Sequence, residues 1–154
     1  MNILLVQHGE SKSKEQDPAR SLSEDGFRNT EKIADWIGKH SFSVKEILHS
    51  GKKRAQETAM IFADHLQPEQ GVHAVEGLNP NDQVLPFAEM LGEREETIMV
   101  VGHLPFLGKL CGLLLAGDQE RNMVSFINSG VVCLKKEKYE WSVAWYVIPD
   151  LLST

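Results

Sequence analysis

Short, almost uninterrupted apolar runs alternate along the chain with longer stretches in which apolar residues recur every three or four positions. The two most apolar runs, Asn2 to Val6 and Thr97 to Val101, each lead into a paired glycine and histidine, His8-Gly9 and Gly102-His103. Such runs predict strands buried on both faces. Glu46 to His49 predicts a shorter strand and Val72 to Val75 a weaker one. Val131 to Lys135 and Trp141 to Ile148 predict a closing antiparallel hairpin with a polar turn at Lys136 to Lys138. Helical spacing fills the intervals. Phe27, Ile33, Ala34, Trp36 and Ile37 share one face, with Ser21 and Glu24 at capping-box spacing and Ser23 as the alternative cap. Ala55, Ala59, Phe62 and Leu66 mark a second helix, Lys53 to Leu66, which must stop before Pro68. Asp82 to Leu91 and the strongly apolar Leu104 to Leu115 predict two more. Glu10 to Arg20 is polar, carries Pro18 and predicts a loop.

Strands that alternate with helices imply an α/β fold, a three-layer α/β/α sandwich around a mostly parallel sheet with right-handed crossovers. The 154 residues fit a single domain over residues 1–154, and no repeat or linker interrupts them. A hydrophobic content of 42% and a charged content of 25% exclude wholesale disorder. The net charge of −6 argues against a nucleic-acid-binding surface and leaves room for a local basic pocket. Cys111 and Cys133 are too few and too far apart for a disulfide scaffold or a CxxC pair, so they predict reduced, packed thiols. Ile3 to Val6 is too short for a secretory leader, and Leu104 to Ala116 falls short of the ~20 residues that span a bilayer. The expectation is a cytoplasmic protein without membrane or nucleic-acid partners.

In open α/β sheets, ligands bind beyond the carboxyl ends of the strands. His8 and His103 stand at two such ends, and a third strand ends in His49-Ser50, with Arg54 following at a helix start. Arginine offers a fork of donors matched to phosphate oxygens, and neutral imidazole is a competent nucleophile whose phosphoramidate is labile. That set suits phosphoryl transfer, in which positioning and charge stabilisation carry most of the catalysis. No HExxH, clustered Cys/His spacing, GxSxG, GxxxxGK[ST] or early GxGxxG competes with it. His40, His49, His65 and His73 are scattered and predict surface or packing roles.

Across nearly its whole length the chain resembles the histidine phosphatase superfamily, in particular its short branch of SixA-type phosphohistidine phosphatases with a phosphoglycerate mutase-like fold. Four ordered elements carry the resemblance: Leu4-Leu5-Val6-Gln7-His8-Gly9-Glu10-Ser11; Arg20-Ser21-Leu22-Ser23-Glu24-Asp25-Gly26; Ser50 through Arg54-Ala55-Gln56-Glu57-Thr58; and Val101-Gly102-His103-Leu104-Pro105. The resemblance implies that His8 is phosphorylated during turnover, that Arg54 holds the phosphoryl group, and that His103 donates to it. It further implies substrate contacts from Gln7, Gly9, Ser11, Arg20 and Ser50, and no metal or organic cofactor. The substrate would be a phosphorylated protein, with phosphohistidine as the group attacked, or a small phosphorylated molecule, with phosphate as the product.

The chain departs from the family pattern in one place. The arginine that precedes the nucleophile in the family is Gln7 here, which can donate hydrogen bonds but carries no charge. Three readings follow: a slow phosphatase, one compensated by Arg20, Lys12 or Lys14, or a degenerate phosphate or phosphoprotein binder without turnover. Ester hydrolysis by a small phosphomonoesterase would also need an acid, and Glu76, before Leu78-Asn79-Pro80, is the candidate. The short chain leaves no room for the insertions that cover the sites of lidded small-molecule relatives. The leading expectation is therefore a protein phosphohistidine phosphatase.

Overall fold

The computed structural model describes residues 1–40 and 42–152. Six strands, β1 (Asn2–Gln7), β2 (Glu46–His49), β3 (Val72–Ala74), β4 (Ile98–Gly102), β5 (Val131–Glu137) and β6 (Glu140–Val147), form one sheet in the order β3-β2-β4-β1-β5-β6. The first four run parallel, and β5 runs antiparallel to both of its neighbours. The helices are α1 (Glu24–Lys39), α2 (Lys53–Leu66), α3 (Leu85–Glu93) and α4 (Phe106–Ala116).

Strand periodicity divides the core into two layers. Ile3, Leu5, Ile98 and Val100 pack with Phe87, Leu91, Phe106 and Leu110 on the α3–α4 side. Leu4, Val6, Met99 and Val101 pack with Ile33, Ile37, Ala59 and Phe62 on the α1–α2 side. Residues of β1 and β4 therefore alternate between two apolar layers, which is why their sequences read as continuous apolar runs. Cys111 and Cys133 are free and buried, one in each layer, and burial raises their thiols to about 12 and about 11. The three-layer sandwich with a mostly parallel sheet matches the architecture implied by the sequence.

Several local expectations are corrected. The cap of α1 is Ser23, whose side chain accepts from the Gly26 N–H, whereas the Ser21 hydroxyl donates to Asp17. Phe27 is 43% exposed, because the buried stripe of α1 runs Gly26, Thr30, Ile33, Ala34, Ile37 and leaves Phe27 one position off it. α3 begins at Leu85 rather than Asp82, since Asp82 is engaged in a turn in which its carboxylate accepts from the Asn79 N–H. The hairpin turn lies at Lys138 and Tyr139, and Lys138 adopts a φ of 57°.

Register aligns the strand ends. Gln7 stands opposite Gly102, and His49 opposite Val101, so β2, β4 and β1 finish side by side at one edge of the sandwich. The His8 N–H continues the ladder by donating to the Gly102 carbonyl at 3.1 Å.

Candidate active site

The residues that follow those strand ends face one another. His8 leaves β1, His103 leaves the adjacent β4, and their ring centroids lie 5.0 Å apart at 51°. Ser50 leaves β2, and its Oγ lies 2.6 Å from His103 Nε2. The Ser50 hydroxyl also accepts from the Lys52 N–H at 3.3 Å, at the start of α2. Arg54 sits in the first turn of the same helix. The sheet thus brings together His8, His103, Ser50 and Arg54, which are far apart in the chain.

Hydrogen bonds fix the state of His8. Its Nδ1 lies 2.7 Å from the Gly9 carbonyl, an acceptor, so Nδ1 carries the proton and Nε2 keeps its lone pair. Burial lowers the His8 pKa to about 4, the Gly9 bond opposes this, and Arg54 and Arg20 lower it further. His103 is lowered to about 3, first by burial and then by His8, Arg54, Lys52 and Arg20. Both rings are therefore neutral near neutral pH. Arg54 is also shifted down by burial and by Arg20, yet a guanidinium remains charged.

Backbone clamps hold the His8 loop. The Gly9 N–H donates to Thr58 Oγ1 at 2.9 Å, and the Thr58 hydroxyl donates to the Arg54 carbonyl at 2.8 Å. Buried Thr58 thereby ties the His8 loop to the helix that carries Arg54. Asn128 Nδ2 donates to the His8 carbonyl at 2.8 Å, and the Ser129 N–H donates to the Gln7 carbonyl at 2.9 Å. Thr30 and Ser129 join hydroxyls at 2.7 Å beneath Gly9, where a Cβ would come within 2.7 Å of Thr30 Oγ1. Only glycine fits there without displacing that pair.

A cleft of about 600 Å³ opens beside Arg54 and is lined by Lys14, Arg20, Lys52 and Lys53 as well, together with Asn79 and Asp82. Arg20 reaches it from a left-handed residue, φ 54°, and its guanidinium donates to Ser11 Oγ and to the Lys12 carbonyl. Three buried polar atoms lack partners among the described residues: Gln7 Oε1, Arg54 Nε and His103 Nδ1. All three belong to site residues, so the polar deficit of the protein is concentrated at this edge of the sheet.

The sequence-derived residues fall into distinct places. Gly9 contributes through its N–H and close packing, Ser11 through its hold on Arg20, and Ser50 through His103. Gln7 ends β1 with its side-chain oxygen buried. Lys12 is exposed, and Lys14 lines the cationic cleft. Glu76 is exposed and lines a neighbouring groove instead of that cleft. His40 and His73 are exposed, His65 meets Glu31 at 2.6 Å, and buried His49 accepts from the Gly51 N–H. Sequence reasoning missed Thr58, Asn128 and Ser129. Thr58 stood inside a quoted element, whereas Asn128-Ser129-Gly130 showed only turn chemistry before β5.

Among the described residues no three His, Cys, Asp or Glu side chains are grouped to hold a metal ion. None of the described helices is long and apolar enough to cross a membrane.

The family model of the histidine phosphatase superfamily, branch 1, matches residues 3–80. The chain is 24% identical over 123 residues to the phosphohistidine phosphatase SixA of Escherichia coli K12, covering 77% of this chain and 76% of that protein. Its fold is similar to the protein histidine phosphatase SixA in complex with tungstate, with a TM-score of 0.88, 21% identity and coverage of 99% and 100%. It also resembles a phosphoserine phosphatase from Entamoeba histolytica in complex with 3-phosphoglyceric acid, with a TM-score of 0.71, 18% identity and coverage of 94% and 95%.

Proposed function

The chain belongs to the histidine phosphatase superfamily, branch 1, and on that footing we propose that it is a single-domain, cytoplasmic phosphohistidine phosphatase acting on a phosphorylated protein. One observation carries the reading: His8 Nδ1–H is committed to the Gly9 carbonyl, which leaves a neutral Nε2 available 5.0 Å, ring to ring, from His103. The phosphohistidine activity of the Escherichia coli relative supports the same substrate class.

The reaction proceeds in two displacements. His8 Nε2 attacks phosphorus, the N–P bond of the substrate breaks, and the substrate imidazole leaves neutral when its other ring nitrogen carries a proton. Phospho-His8 keeps Nδ1–H on the Gly9 carbonyl, which stabilises the imidazolium character gained on phosphorylation. Water then attacks phosphorus, the His8 Nε2–P bond breaks, phosphate departs and the surplus proton goes to solvent. Arg54 and the His103 ring supply donors to the phosphoryl oxygens, with His103 Nε2 turning from Ser50 to the substrate. Arg20 takes over part of the charge that Gln7 lacks, since it lines the same cleft as Arg54 and acts on both histidines. This route calls on no metal or organic cofactor, and Gln7 makes it slower than an arginine would.

A small phosphomonoesterase is the second reading, favoured by the likeness to the phosphoserine phosphatase. It needs a carboxylic acid at the leaving oxygen, and the position of Glu76 in the adjacent groove makes it reachable only by a leaving group that extends that way.

The test is release of inorganic phosphate from a phosphohistidine-bearing protein and from a phosphoserine ester, by wild type and by Gln7→Arg. Release from phosphohistidine by the wild type, above background and exceeding ester hydrolysis, is expected. No release by the wild type with activity appearing in Gln7→Arg would identify a degenerate binder instead.

A further inference from the structure

A second groove, about 960 Å³, runs from the cationic cleft that Arg54 lines along β2, the β3 end and α3. It shares Asn79 and Asp82 with the cleft, so the two form one continuous surface. Their characters are opposite. The cleft gathers Lys14, Arg20, Lys52, Lys53 and Arg54 against a single carboxylate, Asp82. The groove has an apolar floor of Leu48, Val75, Phe87 and Met90, with Pro86 exposed at its rim. Of its charges, Glu46 is matched by Arg94 with His73 3.9 Å away, Asp82 also faces the cations of the cleft, and Glu76 has no ion-pair partner among the described residues.

A phosphorylated side chain that enters the cleft brings its own backbone and neighbours across this groove. The apolar floor rewards burial of an apolar side chain, and the unpaired Glu76 carboxylate attracts a cation. A small phosphate ester would leave the floor uncovered. We propose that the groove between the β2–β3 edge and α3 is the docking surface for the polypeptide that carries the phosphoryl group, and that it selects segments with apolar and basic residues beside the phosphorylated one. The inference rests on the phosphatase reading for the identity of the phosphorylated residue, but its binding preference stands apart from turnover.

The test uses two fluorescent peptides that carry a stable, non-hydrolysable phosphohistidine analogue and differ only in having lysine–leucine or glutamate–leucine flanks. Fluorescence anisotropy with the full chain is expected to show the basic peptide bound about fivefold or more tighter, the sum of a few surface charge contacts. Met90→Lys, and independently Gln83→Lys, should bring the ratio of the two dissociation constants to near one. Equal affinities in the wild type, or a ratio unchanged in both variants, would overturn the proposal. So would sedimentation showing a wild-type dimer that Met90→Lys converts to monomer, because the groove would then be covered by a second copy. A clear preference for the basic peptide in a protein that releases no phosphate would sustain the docking surface and remove the phosphatase reading.

Discussion

The floor of the site and its rim are built on different principles. The floor is made of strand ends: His8 and His103 sit beyond paired strands, and Thr58, Asn128 and Ser129 secure the His8 loop through backbone hydrogen bonds. The rim consists of Lys14, Lys52 and Lys53, side chains that lie at the surface and meet no carboxylate in an ion pair among the described residues. The floor fixes geometry, which catalysis needs to within fractions of an ångström; the rim supplies long-range attraction that salt can screen. Gln7 lies on the boundary. It occupies a floor position, at the end of β1, and offers hydrogen-bonding groups there without charge.

Breaking the floor should therefore cost far more than trimming the rim. His8→Ala removes the nucleophile and should lower the rate of phosphohistidine hydrolysis by at least about 10³-fold, as in other enzymes deprived of a nucleophile. Phosphate release under single-turnover conditions is the measurement. Gln7→Arg adds a charge-assisted donor, worth about 1.5–3 kcal/mol, and should raise kcat about 10- to 100-fold. Thr58→Val leaves the buried Gly9 N–H without an acceptor. It should destabilise the fold by about 1–3 kcal/mol in urea unfolding. By shifting His8 against Arg54 it should also lower kcat by about tenfold, with little change in KM.

At the rim, Lys53→Ala should lower kcat/KM by about two- to fivefold at low salt, and the difference should shrink at 0.5 M salt. The pH dependence sharpens the contrast further. His8 must be neutral to attack, and its pKa stands at about 4, so the acid limb of kcat/KM corrected for spontaneous hydrolysis should lie near pH 4, while a fall toward higher pH should follow loss of the proton on the substrate imidazole. Stability follows the same sign. His8 and His103 are both depressed below 6.5, so the unfolded chain binds more protons than the native one between the native and unfolded values. The fold should weaken as pH falls from 6.5 toward 4, which thermal unfolding across that range would reveal.

The floor was largely legible in the sequence because burial on both faces writes itself as apolar runs, and His8 and His103 punctuate the two clearest of them. Phe27 misled because one apolar residue beside a stripe has the same composition as one within it. α3 started late because the Asp82 carboxylate bonds Asn79 in a turn, a choice between local partners that periodicity does not register. Asn128 and Ser129 stayed hidden in a polar segment whose value depends on lying beside the end of β1, a long-range relation. The groove was equally invisible: Leu48, Val75 and Met90 come from separate elements, and only the sheet order makes them neighbours.

The central claim is that the phosphoryl group passes through His8 Nε2. Rapid quench of the wild type with a radiolabelled phosphohistidine substrate, followed by peptide mapping under alkaline conditions, tests it directly. The account predicts an acid-labile label on the peptide containing His8, formed and lost at rates compatible with turnover and absent from His8→Ala. Turnover with no label on that peptide, or an equal label in His8→Ala, would contradict it.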